Sequence, residues 1–225
     1  GLYENWACAR SYDNKDAAYV NWLMDDDLFL PDKIAVMMEC FFVHPDLSLV
    51  TSYRECIDAD GNKLPDLPAT APLTKEITKF SGEVMGRNIL VSLKNFIGEP
   101  TTVLIRKSFL LHGHDLGFFG KEGKYLISDF PTWLRLLSQG DMIYIPMPLS
   151  KFRMHPGNDQ LRYTTIIIGS ICWALILRAT IEQDMYLHDL HIRRRAIAEW
   201  LKTASSVIHI GTEIPEVWEN TELQD

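Results

Sequence analysis

The sequence predicts an α/β fold. Strand-like and helix-like segments alternate from residue 17 to about 154, the pattern of helices laid over a sheet. Hydrophobic residues make up 47% of 225, enough for the core of one domain or of one domain with an appendage. The apolar segment 17–24 runs straight into Asp25-Asp26-Asp27, which reads as a buried strand ending at a carboxylate cluster.

The elements follow in order. Residues 2–9 read as a helix, with Leu2, Trp6 and Ala9 on one face. Asp13 to Asp16 is a polar turn, and the strand 17–24 follows. A helix is expected over 31–43, because Ile34, Met37, Met38, Phe41 and Phe42 recur at helical spacing. Pro31 suits its first turn, Asp32 complements the dipole, and His44-Pro45 ends it. Residues 47–56 alternate as a strand, and the turn at Asp58 to Gly61 folds 49–57 back toward Lys63-Leu64. Residues 65–72 carry three prolines and form a loop. A helix is expected over 82–95, a buried β-branched strand over 101–105, and a short helix over 106–111. Residues 113–123 form a glycine-rich loop bordered by His112 and containing His114. Ser128 or Asp129 caps a helix over 131–138, and two strands, 142–145 and 149–154, close the alternating part. Two helices, 164–179 and 187–210, then form a C-terminal helical extension, and the acidic tail from Glu213 frays. The domain organisation is therefore 1–160 and 161–225.

Charge and cysteine usage narrow the classes of function. A formal charge of −8 argues against nucleic acid as a partner, since the sole basic run is Arg193-Arg194-Arg195. The four cysteines lack CxxC spacing and fit free thiols in a reducing, cytoplasmic setting. The apolar helix 164–179 is shorter than the roughly 20 residues of a membrane span. It suits a core or a homodimer interface, with peripheral membrane association as a further option. The chain opens on Gly1-Leu2 inside a predicted helix and reads as a fragment of a longer protein.

Three adjacent carboxylates repel unless they are solvated or neutralised by a divalent cation, and hard oxygen ligands suit Mg²⁺ or Mn²⁺. At the carboxyl end of a strand in an open α/β sheet, such a cation would hold the phosphates of a nucleotide. A solvated turn leading into a helix explains the same residues without a ligand.

The stretch from Asn21 to Ile34, with Asp25-Asp26-Asp27, Pro31 and Asp32, resembles the metal-binding segment of family-two glycosyltransferases of the GT-A fold. Residues 41–50 are similar to that family's next helix-to-strand passage. Ser128-Asp129-Phe130, leading into Trp133-Leu134-Arg135-Leu136, resembles the segment that carries its catalytic base. The passage from Ile145-Pro146 to Arg153-Met154-His155 resembles its closing strand. The similarity spans 1 to about 160 and implies a partial GT-A mixed sheet flanked by helices. The family's first strands, which form most of the uracil and ribose pocket, would precede Gly1, so the resemblance implies weak or no activity from this chain alone.

The resemblance implies a bacterial-type, metal-assisted, inverting transfer from a nucleotide sugar, with a UDP-sugar the first choice, to a glycan or other hydroxyl acceptor. The setting would be cytoplasmic or at the inner face of the membrane. Counted back from Pro31, the metal ligand falls on Asp26 and Asp25 lies beside the ribose; reading the motif as Asp25-x-Asp27 moves the ligand to Asp27. His155 would ligate the metal or meet a phosphate, and Arg153 would pair with the diphosphate. Gly98-Glu99-Pro100-Thr101 would line the acceptor pocket, and Asp129 would be the base. A cation beside the leaving diphosphate stabilises charge that grows in the transition state. The acceptor hydroxyl needs a carboxylate within hydrogen-bond reach. Two other classes stand beside this one: a nucleotidyltransferase, which needs a glycine-rich phosphate loop, and a non-enzymatic association module that uses 164–179.

Overall fold

A computed structural model describes residues 15–111, 129–155 and 163–211. The expected helix at 2–9, the loop 113–123 with His114, the neighbouring His112, Ser128 and the acidic tail lie outside them. The elements in order are β1 (Tyr19–Val20), β2 (Leu28–Phe29), α1 (Lys33–Val43), β3 (Leu47–Ile57), β4 (Thr78–Phe80) and α2 (Gly82–Ser92). A 3₁₀ turn (Pro100–Thr102), β5 (Leu104–Arg106), α3 (Lys107–Leu111), α4 (Asp129–Leu137), β6 (Asp141–Arg153), α5 (Tyr163–Glu182) and α6 (Leu190–Gly211) complete them.

The sheet is mixed and flanked by helices, as an α/β fold requires. Its order is β1-β5-β3-β6-β2, with β4 also paired to β6. The central pair, β3 and β6, is parallel, and every other pairing is antiparallel. Successive residues of the central strands point to opposite faces. Leu49, Met142 and Tyr144 enter a large core with α2, α4, α5 and α6. Val50, Ile143 and Ile145 enter a smaller one with Met37 and Phe41 of α1. The C-terminal helices therefore share the main core through Cys172, Trp173, Ile176 and Ala196.

Several expectations need correction. The strand expected over 17–24 shrinks to Tyr19–Val20, half-buried at the end of the sheet, and Leu23 is 51% exposed. Beyond Val20 the backbone is pinned to the 3₁₀ turn instead. Asn21 Nδ2 donates to the Pro100 carbonyl (3.0 Å), and the Met24 amide donates to Thr101 Oγ1 (3.1 Å). The β-branched run 101–105 divides between that turn and β5, since the Thr102 amide bonds back to the Glu99 carbonyl at 2.9 Å. The two strands expected over 142–154 are one. Its register jumps from Ser52↔Ile145 to Tyr53↔Pro148, so Pro146 falls in a bulge that needs no ladder donor.

Helix α1 begins two residues after Pro31, and α2 stops at Ser92, before Leu93 in the left-handed region (φ 53°). The buried face of α1 is Lys33, Met37 and Phe41, whereas Phe42 is 78% exposed. Asp129 is the first residue of α4. The described part of the chain also contains short strands β2 and β4, which periodicity does not reveal. Among the described residues, no helix is long and apolar enough to cross a membrane.

Candidate functional site

The segment Asn95 to Thr102 organises the residues around it. Asn95 Oδ1 accepts the amides of Ile97 and Gly98, each at 3.0 Å, and Asn95 Nδ2 donates to the Gly98 carbonyl at 3.1 Å. Asparagine closes such a loop by standing in for backbone. Gly98 adopts φ +102°, where a Cβ would lie 2.6 Å from Thr102 Oγ1, so glycine is required. Trp133 Nε1 of α4 donates to the same Gly98 carbonyl at 3.1 Å.

One end of this segment holds the acid cluster. Thr101 Oγ1 donates to Asp27 Oδ2 at 2.6 Å, and the Arg153 amide donates to Asp27 Oδ1 at 3.1 Å. Asp27 is only 5% exposed. Burial pushes its carboxyl up to about 6, against the lowering effect of those two hydrogen bonds. Asp26 faces outward, its Oδ2 3.1 Å from His155 Nε2, and both side chains are about one third exposed. Arg153 Nε donates to the Asp26 carbonyl at 2.9 Å, and its guanidinium also reaches the carbonyls of Asp58 and Ala59. That guanidinium therefore locks the acid turn to the β3 hairpin. Asp25 is exposed.

The other end holds Asp129. Asn95 Nδ2 donates to Asp129 Oδ2 at 3.1 Å. Burial pushes the Asp129 carboxyl up to about 7, and the neighbouring Glu99 charge adds to the rise. Glu99 lies between the two ends, within electrostatic range of both Asp27 and Asp129. Its Oε1 accepts Arg54 NH2 at 2.8 Å, while its buried Oε2 has no partner among the described residues.

Beneath the turn lies a fully buried lysine. Lys33 Nζ donates to the Thr102 carbonyl at 2.9 Å, approaches Met37 Sδ at 3.4 Å, and stands 5.3 Å from the centre of the Phe29 ring. Burial pulls its ammonium down to about 7.

The structure thus gathers Asp26, Asp27, Arg153, His155, Gly98, Glu99, Pro100, Thr101 and Asp129 into one connected network. Sequence reasoning missed Asn95, Arg54, Lys33 and Asn21. The Asn95-x-x-Gly98 spacing is a turn signal that points to the first of these. A lone arginine within an apolar strand is the signal for Arg54. Nothing local marks Lys33, because lysine is almost never fully buried. His188 lies elsewhere, 3.2 Å from Asp184 and 3.8 Å from Glu83.

Two cavities of about 400 and 380 Å³ lie away from this network, one beside Gly82 and Tyr186 and the other beside Phe80 and Ile192. Among the described residues, no group of three or more His, Cys, Asp or Glu side chains is assembled for a metal ion. Asp26 and His155 offer one oxygen and one nitrogen. The carboxylate suits a hard cation that takes most of its ligands from substrate phosphate and water, whereas the imidazole is not a usual ligand of Mg²⁺. Asp27 fits less well, since each of its oxygens already accepts a protein hydrogen bond. No family model matches the chain, and no curated protein matches it.

Proposed function

We propose that this chain carries the metal and acceptor side of an inverting glycosyltransferase of the GT-A fold, using a nucleoside-diphosphate sugar, first a UDP-sugar, and a hydroxyl acceptor. The carrying observation is that the Asp26–His155 pair and Asp129 are tied to opposite ends of a single segment, Asn95 to Thr102, through Asp27 and Asn95. Asp26 and His155 would hold Mg²⁺ or Mn²⁺, which when bound offsets the charge gathered on the departing diphosphate. Asp25 would face the nucleotide, while Arg153 holds the acid turn in place. Asp129 would take the proton from the acceptor hydroxyl as it attacks C1, and a single displacement gives inversion. Gly98, Glu99, Pro100 and Thr101 would line the acceptor side. The setting would be cytoplasmic, at or near the inner face of the membrane.

The pH behaviour follows from the protonation of Asp129. A base with its carboxyl near 7 is ionised only above that pH, so transfer should rise through neutrality and level off in mild alkali. Calorimetric titration of the complete protein with UDP, with and without Mn²⁺, tests the donor side. Binding should require the cation, and Asp26→Ala should weaken it at least about tenfold, roughly the loss of one charged contact to a bound ion. Equal UDP affinity in the variant would refute the assignment of Asp26.

A further inference from the structure

We propose that Asn95 is the positioning residue of the base: its side-chain amide fixes where the Asp129 carboxylate stands relative to the Gly98–Thr101 loop. The role rests on the reading of Asp129 as the proton acceptor. A primary amide has two donor hydrogens and an oxygen with two lone pairs. Asn95 uses all four. The oxygen takes the amides of Ile97 and Gly98, and the nitrogen gives one hydrogen to the Gly98 carbonyl and one to Asp129 Oδ2. Its orientation is therefore forced. A flipped amide would set its NH₂ against two backbone N–H donors and its oxygen against a carbonyl and a carboxylate.

The same network locks Asp129 from a second direction. Trp133, one turn along α4, donates to the Gly98 carbonyl that Asn95 also contacts. The start of α4 and the acceptor loop thus share one acceptor atom, with Asn95 as the hinge pin between them. Among the described residues, the charged groups near Asp129 are Glu99, which disfavours its ionisation, and Arg54, which pairs with Glu99 and offsets its charge. The amide of Asn95, with the backbone amides of Asp129 and Phe130, favours the ionised form. Removing the Asn95 donor should therefore leave Asp129 ionising later and moving more freely.

Two substitutions separate this role from the folding of the loop. Asn95→Asp keeps both acceptor positions for Ile97 and Gly98 but loses the donor. Asn95→Ser keeps a hydroxyl oxygen that can close a similar turn, loses the donor, and adds no charge. The Asp129 carboxyl is followed by carbon-detected NMR titration of the full chain, with its signal assigned by its loss in Asp129→Asn. The titration midpoint should rise by about one pH unit in Asn95→Asp and by about half a unit in Asn95→Ser. In a transfer assay the acidic limb of kcat/KM should move with it, while KM for the donor stays unchanged.

A midpoint unchanged in both folded variants would overturn the proposal. So would a loss of transfer with the acidic limb unmoved, since that marks a merely structural role. If Asn95→Asp fails to fold, Asn95→Ser decides alone. If the midpoint shifts while Asp26→Ala leaves cation-dependent UDP affinity unchanged, the glycosyltransferase reading fails and the positioning of Asp129 by Asn95 stands.

Discussion

The Asp26 end and the Asp129 end of the site are built from opposite materials. Asp26 stands on a turn between two short strands, a third exposed, with the His155 imidazole 3.1 Å from its carboxylate. Asp129 opens a helix, sits against Glu99, and is held by a saturated amide. The difference suits the two tasks assigned to them. A cation and its diphosphate must arrive and leave, which calls for solvent access. A base working near neutrality needs a carboxyl whose proton affinity is raised by dry surroundings. Between them Asp27, the immediate neighbour of Asp26, serves neither task directly: it fastens the acid turn to Thr101 and to the end of β6.

The sharpest test of this contrast sets Asp26 against Asp27. Asp27→Ala strands the Thr101 hydroxyl and the Arg153 amide in a buried place, and should cost about 2–4 kcal/mol in urea unfolding at pH 7. Asp26→Ala removes a partly solvated group and should cost no more than about 1 kcal/mol while impairing cation-dependent UDP binding. Equal stability losses would erase the distinction.

A smaller effect of opposite sign is expected at Asp129. Its carboxyl is raised to about 7 in the folded protein, above the value near 3.8 of an unperturbed aspartate. The folded state therefore holds a proton that the unfolded state has released, and this group's stabilising contribution fades as pH climbs from about 4 through 7. Asp129→Asn should remove that decline, gain about 1–2 kcal/mol above pH 7, and abolish transfer, the usual trade of stability against activity. Melting temperatures of both proteins at pH 5 and pH 8 measure it, and parallel curves would contradict it.

Lys33 should give the least. Its ammonium is lowered to about 7 from an ordinary 10.5, so the folded state carries fewer protons than the unfolded one between those values. Stability from this group accordingly increases as pH rises across that window. Lys33→Met should stabilise by about 1 kcal/mol at pH 6 and be neutral near pH 9, where the neutral amine and its bond to the Thr102 carbonyl are lost together. Denaturation midpoints at the two pH values check the crossing.

How much of this was legible in the sequence depends on the range of the interaction involved. The α/β class could be read because strand-like and helix-like segments alternate along the chain, β3 by its alternation and α1 by the helical spacing of its apolar residues. The length of β1 could not, because past Val20 the segment bonds to the 3₁₀ turn through Asn21 and Met24 rather than to a neighbouring strand, and no local pattern encodes that. The gap between the expected strands 142–145 and 149–154 is a bulge in one strand, set by its register against β3. The three aspartates read alike in sequence. What divides them is which one meets Thr101, a contact 74 residues away in the chain. Asn95 meets Asp129 across 34 residues, and no local pattern encodes that.

The parallel pairing of β3 with β6 also dictates when these residues meet during synthesis. Ser48 touches Asp141 across 93 residues, and Asp27 waits for the amide of Arg153 across 126. Chains emerge at about 5–20 residues per second, and contacts this distant bring a large loop-closure penalty. A nascent chain therefore exposes its acid turn unfastened for several seconds, and slowing translation between β3 and β6 should lengthen the period in which proteases and chaperones reach it.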